Sequence, residues 1–163
     1  MLLVEEFNLA NRKTDCQPIA LVSPRWCRPQ ADNVKINLDA GVFTNGSTGW
    51  GFVAKDHHGA VLFSATRKEE LVVTPLMAET LALRWVLSWA EGEYFTSLCI
   101  ETDVEQVVHC LRRKKKIAAI EFLILDCLDY LSRVSNSLVG LAKSVGNRCW
   151  VGVCPSTNLS IFM

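Results

Sequence analysis

In the stretch VKINLDAGVF, residues 34–43, Val34, Ile36 and Leu38 alternate as the inward side of a half-buried strand does. Asp39 stands where that pattern runs on toward Val42 and Phe43, an acid inside what otherwise reads as sheet core. A second acid, Glu79, lies in the helical segment PLMAETLALRWVLSWAE, residues 75–91. There Glu79, Ala82, Leu83, Val86 and Ala90 fall at offsets 0, 3, 4, 7 and 11, so the glutamate shares the small, sheet-facing stripe. A third, Asp103, follows the strand-like TSLCIET at the mouth of the next helix. Each has a plainer account when taken alone: Asp39 can head a turn, Asp103 can cap a helix, and a first-turn glutamate can bend toward solvent. An ionised glutamate facing a core nevertheless costs roughly several kcal/mol unless it is paired or bound to a cation. If the three converge, they raise one another's pKa values until a cation intervenes. Hard oxygen ligands of this kind suit Mg²⁺ or Mn²⁺, which keep waters and accept phosphate oxygens. Two such ions about 3.5–4 Å apart can activate a water and stabilise the leaving oxygen of a phosphodiester.

The elements that must position these acids can be read from periodicity and punctuation. Residues 34–40 form a first strand, 49–56 a second and 59–67 a third, with DHHG between the last two making a hairpin. The helix over 75–91 has Thr74 as its N-cap, Pro75 at its first position and Gly92 as its stop. A fourth strand covers 96–102. A helix then opens at Asp103, carrying Val104, Val107, Val108 and Leu111 on one face. RRKKK at 112–116 links it to a third helix over about 117–131, striped by Ile117, Ile120, Ile124, Leu128 and Leu131. The order β-β-β-α-β-α-α predicts an α/β architecture: antiparallel hairpin strands, then a strand entering by a helical crossover, in one mixed sheet flanked by helices.

VKINLDAG, GWGFVAKDHHGAVL, MAETLALRWVLSWA and CIETDVEQVVHCL, in that order, resemble the ribonuclease H-like domain of plant retroelement-derived, reverse-transcriptase-like proteins. Trp26, Pro29 and residues 34–39 resemble that family's lead into its first strand, although DAG stands where the family more often has D-G-A. The resemblance spans about residues 26–145. It implies a ribonuclease H fold and an endonuclease that cleaves the RNA strand of RNA–DNA hybrids with two divalent ions, no side chain being the nucleophile. Asp39 would then be the first-strand aspartate bridging both ions, Glu79 the helix glutamate and Asp103 the aspartate after the fourth strand. The family follows its third helix with a further strand and then an R-x-x-N-x-x-A-[HD]-x-L-A helix that supplies a fourth metal-site residue. Here Arg133, Asn136, Leu141 and Ala142 look like remnants of that helix, and its Asp/His slot is missing. The preceding strand is expected to be lost. After Asp129 the chain has no Asp, Glu or His. Two alternatives therefore stand beside the nuclease: a non-catalytic nucleic-acid-binding derivative, and an inactive retroelement remnant.

The 163 residues suffice for one domain with a real core; 50% are hydrophobic and 21% charged, a globular mixture. Seventeen basic and seventeen acidic residues balance, so a nucleic-acid contact must come from a local patch. Arg112, Arg113, Lys114, Lys115 and Lys116 form such a patch, or a solvated link between helices. Seven cysteines without a CxxC pair fit reduced thiols, and no signal peptide or membrane span is expected. An intracellular monomer follows, nuclear or cytoplasmic being undecided. His57 and His58 belong to a turn, His109 lies on the second helix beside Val108, and Trp85 and Trp89 cover a helix flank against a neighbouring element and are no base-stacking platform. Gly46, Gly49 and Gly51 suit hairpins and not a phosphate loop. The expected organisation is an extended leader over 1–33, the domain over 34–145 and an atypical tail over 146–163.

Overall fold

The computed structural model describes residues 28–93, 95, 97–134, 136–142 and 159–162. Three strands open the fold: β1 (Val34–Val42), β2 (Thr48–Lys55) and β3 (Val61–Glu69). Local turn chemistry joins them. Between β1 and β2 the Asn45 side chain accepts from the Ser47 N–H and hydroxyl, and Gly46 takes a φ of +83°. Between β2 and β3 one Asp56 carboxylate oxygen accepts from the His58 and Ala60 N–H groups, at 2.9 and 2.8 Å. The predicted hairpin is therefore present. Its second strand starts two residues later than expected because Gly59 and Ala60 belong to the turn.

Helix α1 (Pro75–Glu91) begins as its sequence dictates, with the Thr74 hydroxyl accepting from the Met77 N–H at 3.3 Å and proline at the start. The chain then forms β4 (Leu98–Thr102), α2 (Glu105–Leu111), a 3₁₀ turn (Ala118–Ile120), α3 (Glu121–Arg133), β5 (Ser137–Leu141) and β6 (Leu159–Phe162). The strand order is β5-β4-β1-β2-β3-β6. β1 is antiparallel to β2, β2 to β3 and β3 to β6, whereas β4 runs parallel to both β1 and β5.

The core lies between the sheet and the helices. Ile36, Leu38, Phe52, Ala54 and Ile100 from the strands meet Leu83, Val86 and Leu87 of α1 and Ile120 and Ile124 before and within α3. Trp89 stacks on Phe63 with centroids 4.7 Å apart and also touches Phe52 and Phe95, while Trp85 meets Phe52 edge-on. Both tryptophans therefore pack α1 against a neighbouring element, as expected, and that element is the hairpin. β1 is buried on both sides and not half-buried. Lys35 forms a 2.7 Å ion pair with Glu101, and the Asn37 amide donates to the same carboxylate at 2.9 Å. These polar residues tolerate burial because their partners sit on the adjacent parallel strand.

The final strand is present, contrary to expectation. Leu98 to Thr102 pair in register with Ser137 to Leu141. The Ser137 hydroxyl donates to the Leu131 and Val134 carbonyls, and Asn136 takes a φ of +49°, so the chain leaves α3 and turns straight into β5. Asn136, Leu141 and Ala142 are thus no helix remnant; a five-residue apolar run does not reveal its period. Residues 1–27 of the expected leader, 143–145 of the expected domain, and 146–158 and 163 of the expected tail lie outside the described residues. Among the described cysteines, Cys99, Cys110 and Cys127 are free thiols.

Leu83 is fully buried on the same face of α1 as Glu79, one turn further along. Leu83→Ala should destabilise the protein by about 2–5 kcal/mol, read as a lower urea midpoint with an unchanged m-value.

Candidate metal centre

The centre forms where β1 outruns its parallel neighbour. β4 pairs with β1 only from Val34↔Leu98 to Asn37↔Glu101, and β4 ends at Thr102. β1 continues along β2 as far as Val42. Asp39 and Ala40 therefore sit on a strand edge that β4 no longer covers. The first turns of α1 cross this gap, and the Glu79 carboxylate enters it: Oε1 accepts from the Ala40 N–H at 3.0 Å. Asp103 follows directly on the last residue of β4.

One carboxylate oxygen from each of Asp39, Glu79 and Asp103 lies within 4.8 Å of the others. Glu79 is buried, Asp39 half-buried and Asp103 exposed, so the cluster opens to solvent on one side. Asp103 is not the helix cap that its position also allowed. Val104 occupies the cap position of α2 without a side-chain cap bond, and Asp103 is left to the cluster. All three acids singled out in the sequence are thus together, although they come from a strand, a helix and a loop.

Burial pushes the Glu79 carboxyl up to about 8, the Ala40 N–H counteracts this, and the nearby charges of Asp103 and Asp39 push it further up. The buried, acid-flanked carboxylate is short of positive charge at neutral pH. A hard divalent cation fits that deficit and this all-oxygen donor set, as Mg²⁺ or Mn²⁺ would require.

Two supports were not foreseen from the sequence. One is the Lys35–Glu101–Asn37 network, which holds β1 and β4 in register beside the centre. The other is Thr102, 1% exposed, whose hydroxyl lies 3.5 Å from Glu79 Oε2. Alternation supplied a signal for it: Leu98, Ile100 and Thr102 share the inward parity of β4.

The basic run Arg112–Lys116 belongs to the link after α2 and is no part of the acidic cluster. Within it Arg113 and Lys116 pair with Glu121 at 2.8 and 3.8 Å. His57 and His58 lie against each other at a tilt in the β2–β3 turn with centroids 3.9 Å apart, and His109 faces Glu105 at 3.6 Å on α2. Neither position joins the carboxylates.

A mixed sheet in this order, with an acid on the first strand, one on the crossover helix and one after the fourth strand, defines a ribonuclease H-like fold. The chain belongs to the reverse transcriptase-like family, whose profile matches residues 37–152. Among solved structures, it is similar to ribonuclease H1 from Halobacterium salinarum, with a TM-score of 0.61 at 17% identity over 68% of this chain and 85% of that one. It is also similar to the N-terminal ribonuclease H domain of a Mycobacterium tuberculosis protein, with a TM-score of 0.58 at 22% identity over 68% and 81%. A third similar structure is LC11 ribonuclease H1, isolated from compost and solved in complex with an RNA/DNA hybrid. That complex gives a TM-score of 0.55 at 20% identity over 67% of this chain and 84% of that one. No curated protein is a significant match.

The sign of the Glu79 shift fixes a pH dependence. A carboxyl raised from 4.5 to about 8 is protonated in the native, cation-free protein while it is ionised in the unfolded chain. The native state then binds more protons, so its contribution to stability is full below about 4.5 and is lost as pH rises toward about 8. The urea midpoint measured in chelator should fall across that window, and Glu79→Gln should flatten the slope.

Proposed function

We propose that this domain binds nucleic acid and acts as a divalent-metal-dependent endonuclease on the RNA strand of RNA–DNA hybrids. The observation that carries the proposal is the meeting of Asp39, Glu79 and Asp103 within 4.8 Å at one open strand edge. Bound Mg²⁺ or Mn²⁺ would supply Lewis-acid polarisation of a phosphate oxygen and a more acidic water. The chain's own part is to hold the cation between half-buried Asp39, buried Glu79 and exposed Asp103, and to leave the solvent side free for the phosphate. The capture of a hybrid by LC11 ribonuclease H1, and by the similar foamy viral protease-reverse transcriptase, supports the choice of partner. Recognition would follow duplex shape and 2′-hydroxyls more than base sequence. Arg112, Lys114 and Lys115 would add phosphate contacts from the α2–α3 link, with Arg113 and Lys116 shared with Glu121.

In this reading the domain is a retroelement-derived monomer working inside the cell. Free Cys99, Cys110 and Cys127 are in keeping with a reducing compartment. Among the described residues, no helix is long and apolar enough to cross a membrane.

A second reading is favoured by one specific observation. Residues 130–163 contain no Asp, Glu or His, so none of them supplies the carboxyl-type ligand that the resemblance places in a later helix. Three carboxylates hold one cation better than two, and binding of nucleic acid without turnover is the corresponding alternative.

Incubated with a labelled RNA–DNA hybrid in Mn²⁺ or Mg²⁺, the folded protein should cut the RNA strand, and Asp39→Asn should abolish the cutting. Salt-dependent hybrid binding without cleavage would replace the first reading by the second. Replacing Lys114 and Lys115 by alanine should weaken binding uniformly across sequences and reduce the salt slope by about 1–2.

A further inference from the structure

We infer that Thr102 is a positioning residue for the metal centre, holding Glu79 through its hydroxyl while fixing the turn that presents Asp103. The inference rests on the metal-site reading above and adds a residue to it.

The two oxygens of Glu79 are approached from two directions. Oε1 accepts from the Ala40 N–H at 3.0 Å, and Oε2 faces the Thr102 hydroxyl at 3.5 Å. Ala40 is the residue after Asp39, and Thr102 is the residue before Asp103. Each aspartate thus has a sequence neighbour that contacts the glutamate. These contacts tie α1 to the end of β1 and to the end of β4 at once.

Thr102 has the hydrogen-bonding capacity for both tasks. A hydroxyl donates one proton and accepts at two lone pairs. Here the proton side faces Glu79, and a lone pair accepts from the Val104 N–H at 3.2 Å. Val104 holds the cap position of α2 and has no side-chain cap of its own, so this bond orders the residues on both sides of Asp103. The 3.5 Å separation is long for an O–H···O bond. Hydrogen bonds at such centres are often long before the ligand arrives and shorten when it binds. A cation held by the three carboxylates would use the lone pairs of Glu79 left over from the Ala40 and Thr102 contacts. At 1% exposure the side chain is walled off from solvent, so its contribution passes through Glu79 and Asp103 and not through contact with substrate.

The test compares wild type, Thr102→Val and Thr102→Ser by calorimetric titration with MnCl₂ alone, with thermal unfolding in chelator run on the same samples. Thr102→Val keeps the shape and removes the hydroxyl. It should bind Mn²⁺ about ten- to a hundredfold more weakly while still unfolding cooperatively. Thr102→Ser should bind within about threefold of wild type. Thr102→Val binding as tightly as wild type overturns the assignment of Thr102 and leaves the metal site standing. Wild type failing to bind Mn²⁺ overturns the metal reading and this inference with it. If Thr102→Val does not fold, hydrogen exchange on wild type decides. Mn²⁺ should slow exchange at the Val104 amide, and an unchanged rate overturns the proposal.

Discussion

A buried carboxylate set between two other carboxylates is the constraint on which this structure turns. Glu79 is only 6% exposed, and its ordinary ionised form is disfavoured there by burial and by Asp39 and Asp103. An N–H and a hydroxyl offset part of that penalty. Two neutral donors do not balance three acids, and a divalent cation does. The geometry that makes Glu79 unfavourable without a cation is the same geometry that gives a cation its ligands.

Meeting that constraint requires positional accuracy from elements that share no local sequence. α1 sets the height of Glu79 and is held by Leu83, Val86 and Leu87 in the core and by the Trp85–Trp89 clamp on Phe52 and Phe63. The Lys35–Glu101 pair with Asn37 then fixes how far β4 runs along β1. A slip of β4 by one residue would turn Thr102 outward and move Asp103 away from the gap. The buried ion pair is better understood as a register device than as a source of net stability.

Much of this was legible in the residues. Thr74, Pro75 and Gly92 bounded α1, Gly46 and the Asp56–Gly59 turn marked hairpins, and the Glu79 stripe gave away an acid on a core-facing side. Three things were hidden, each for a physical reason. β5 is a short apolar run whose identity depends on pairing with β4, a tertiary contact with no local signature. The burial of Lys35 and Asn37 was not legible from alternation, because only the neighbouring strand reveals that they are paired. Asp103 carried two compatible roles, and the choice was made by its two immediate neighbours, where the Thr102 hydroxyl took the Val104 N–H.

The parallel pairing of β1 with β4 also sets when the centre comes into being. The hairpins close through turns of a few residues, whereas Asn37 and Glu101 are 64 residues apart in the chain. Closing so large a loop is slow and is rewarded only once the distant strand has docked. A chain emerging from synthesis has its meander and Asp39 early, gains Glu79 with the helix, and lacks Asp103 until β4 is complete. Topology thereby acts as a timer, and the three-carboxylate cluster is complete only after a step that closes 64 residues of chain.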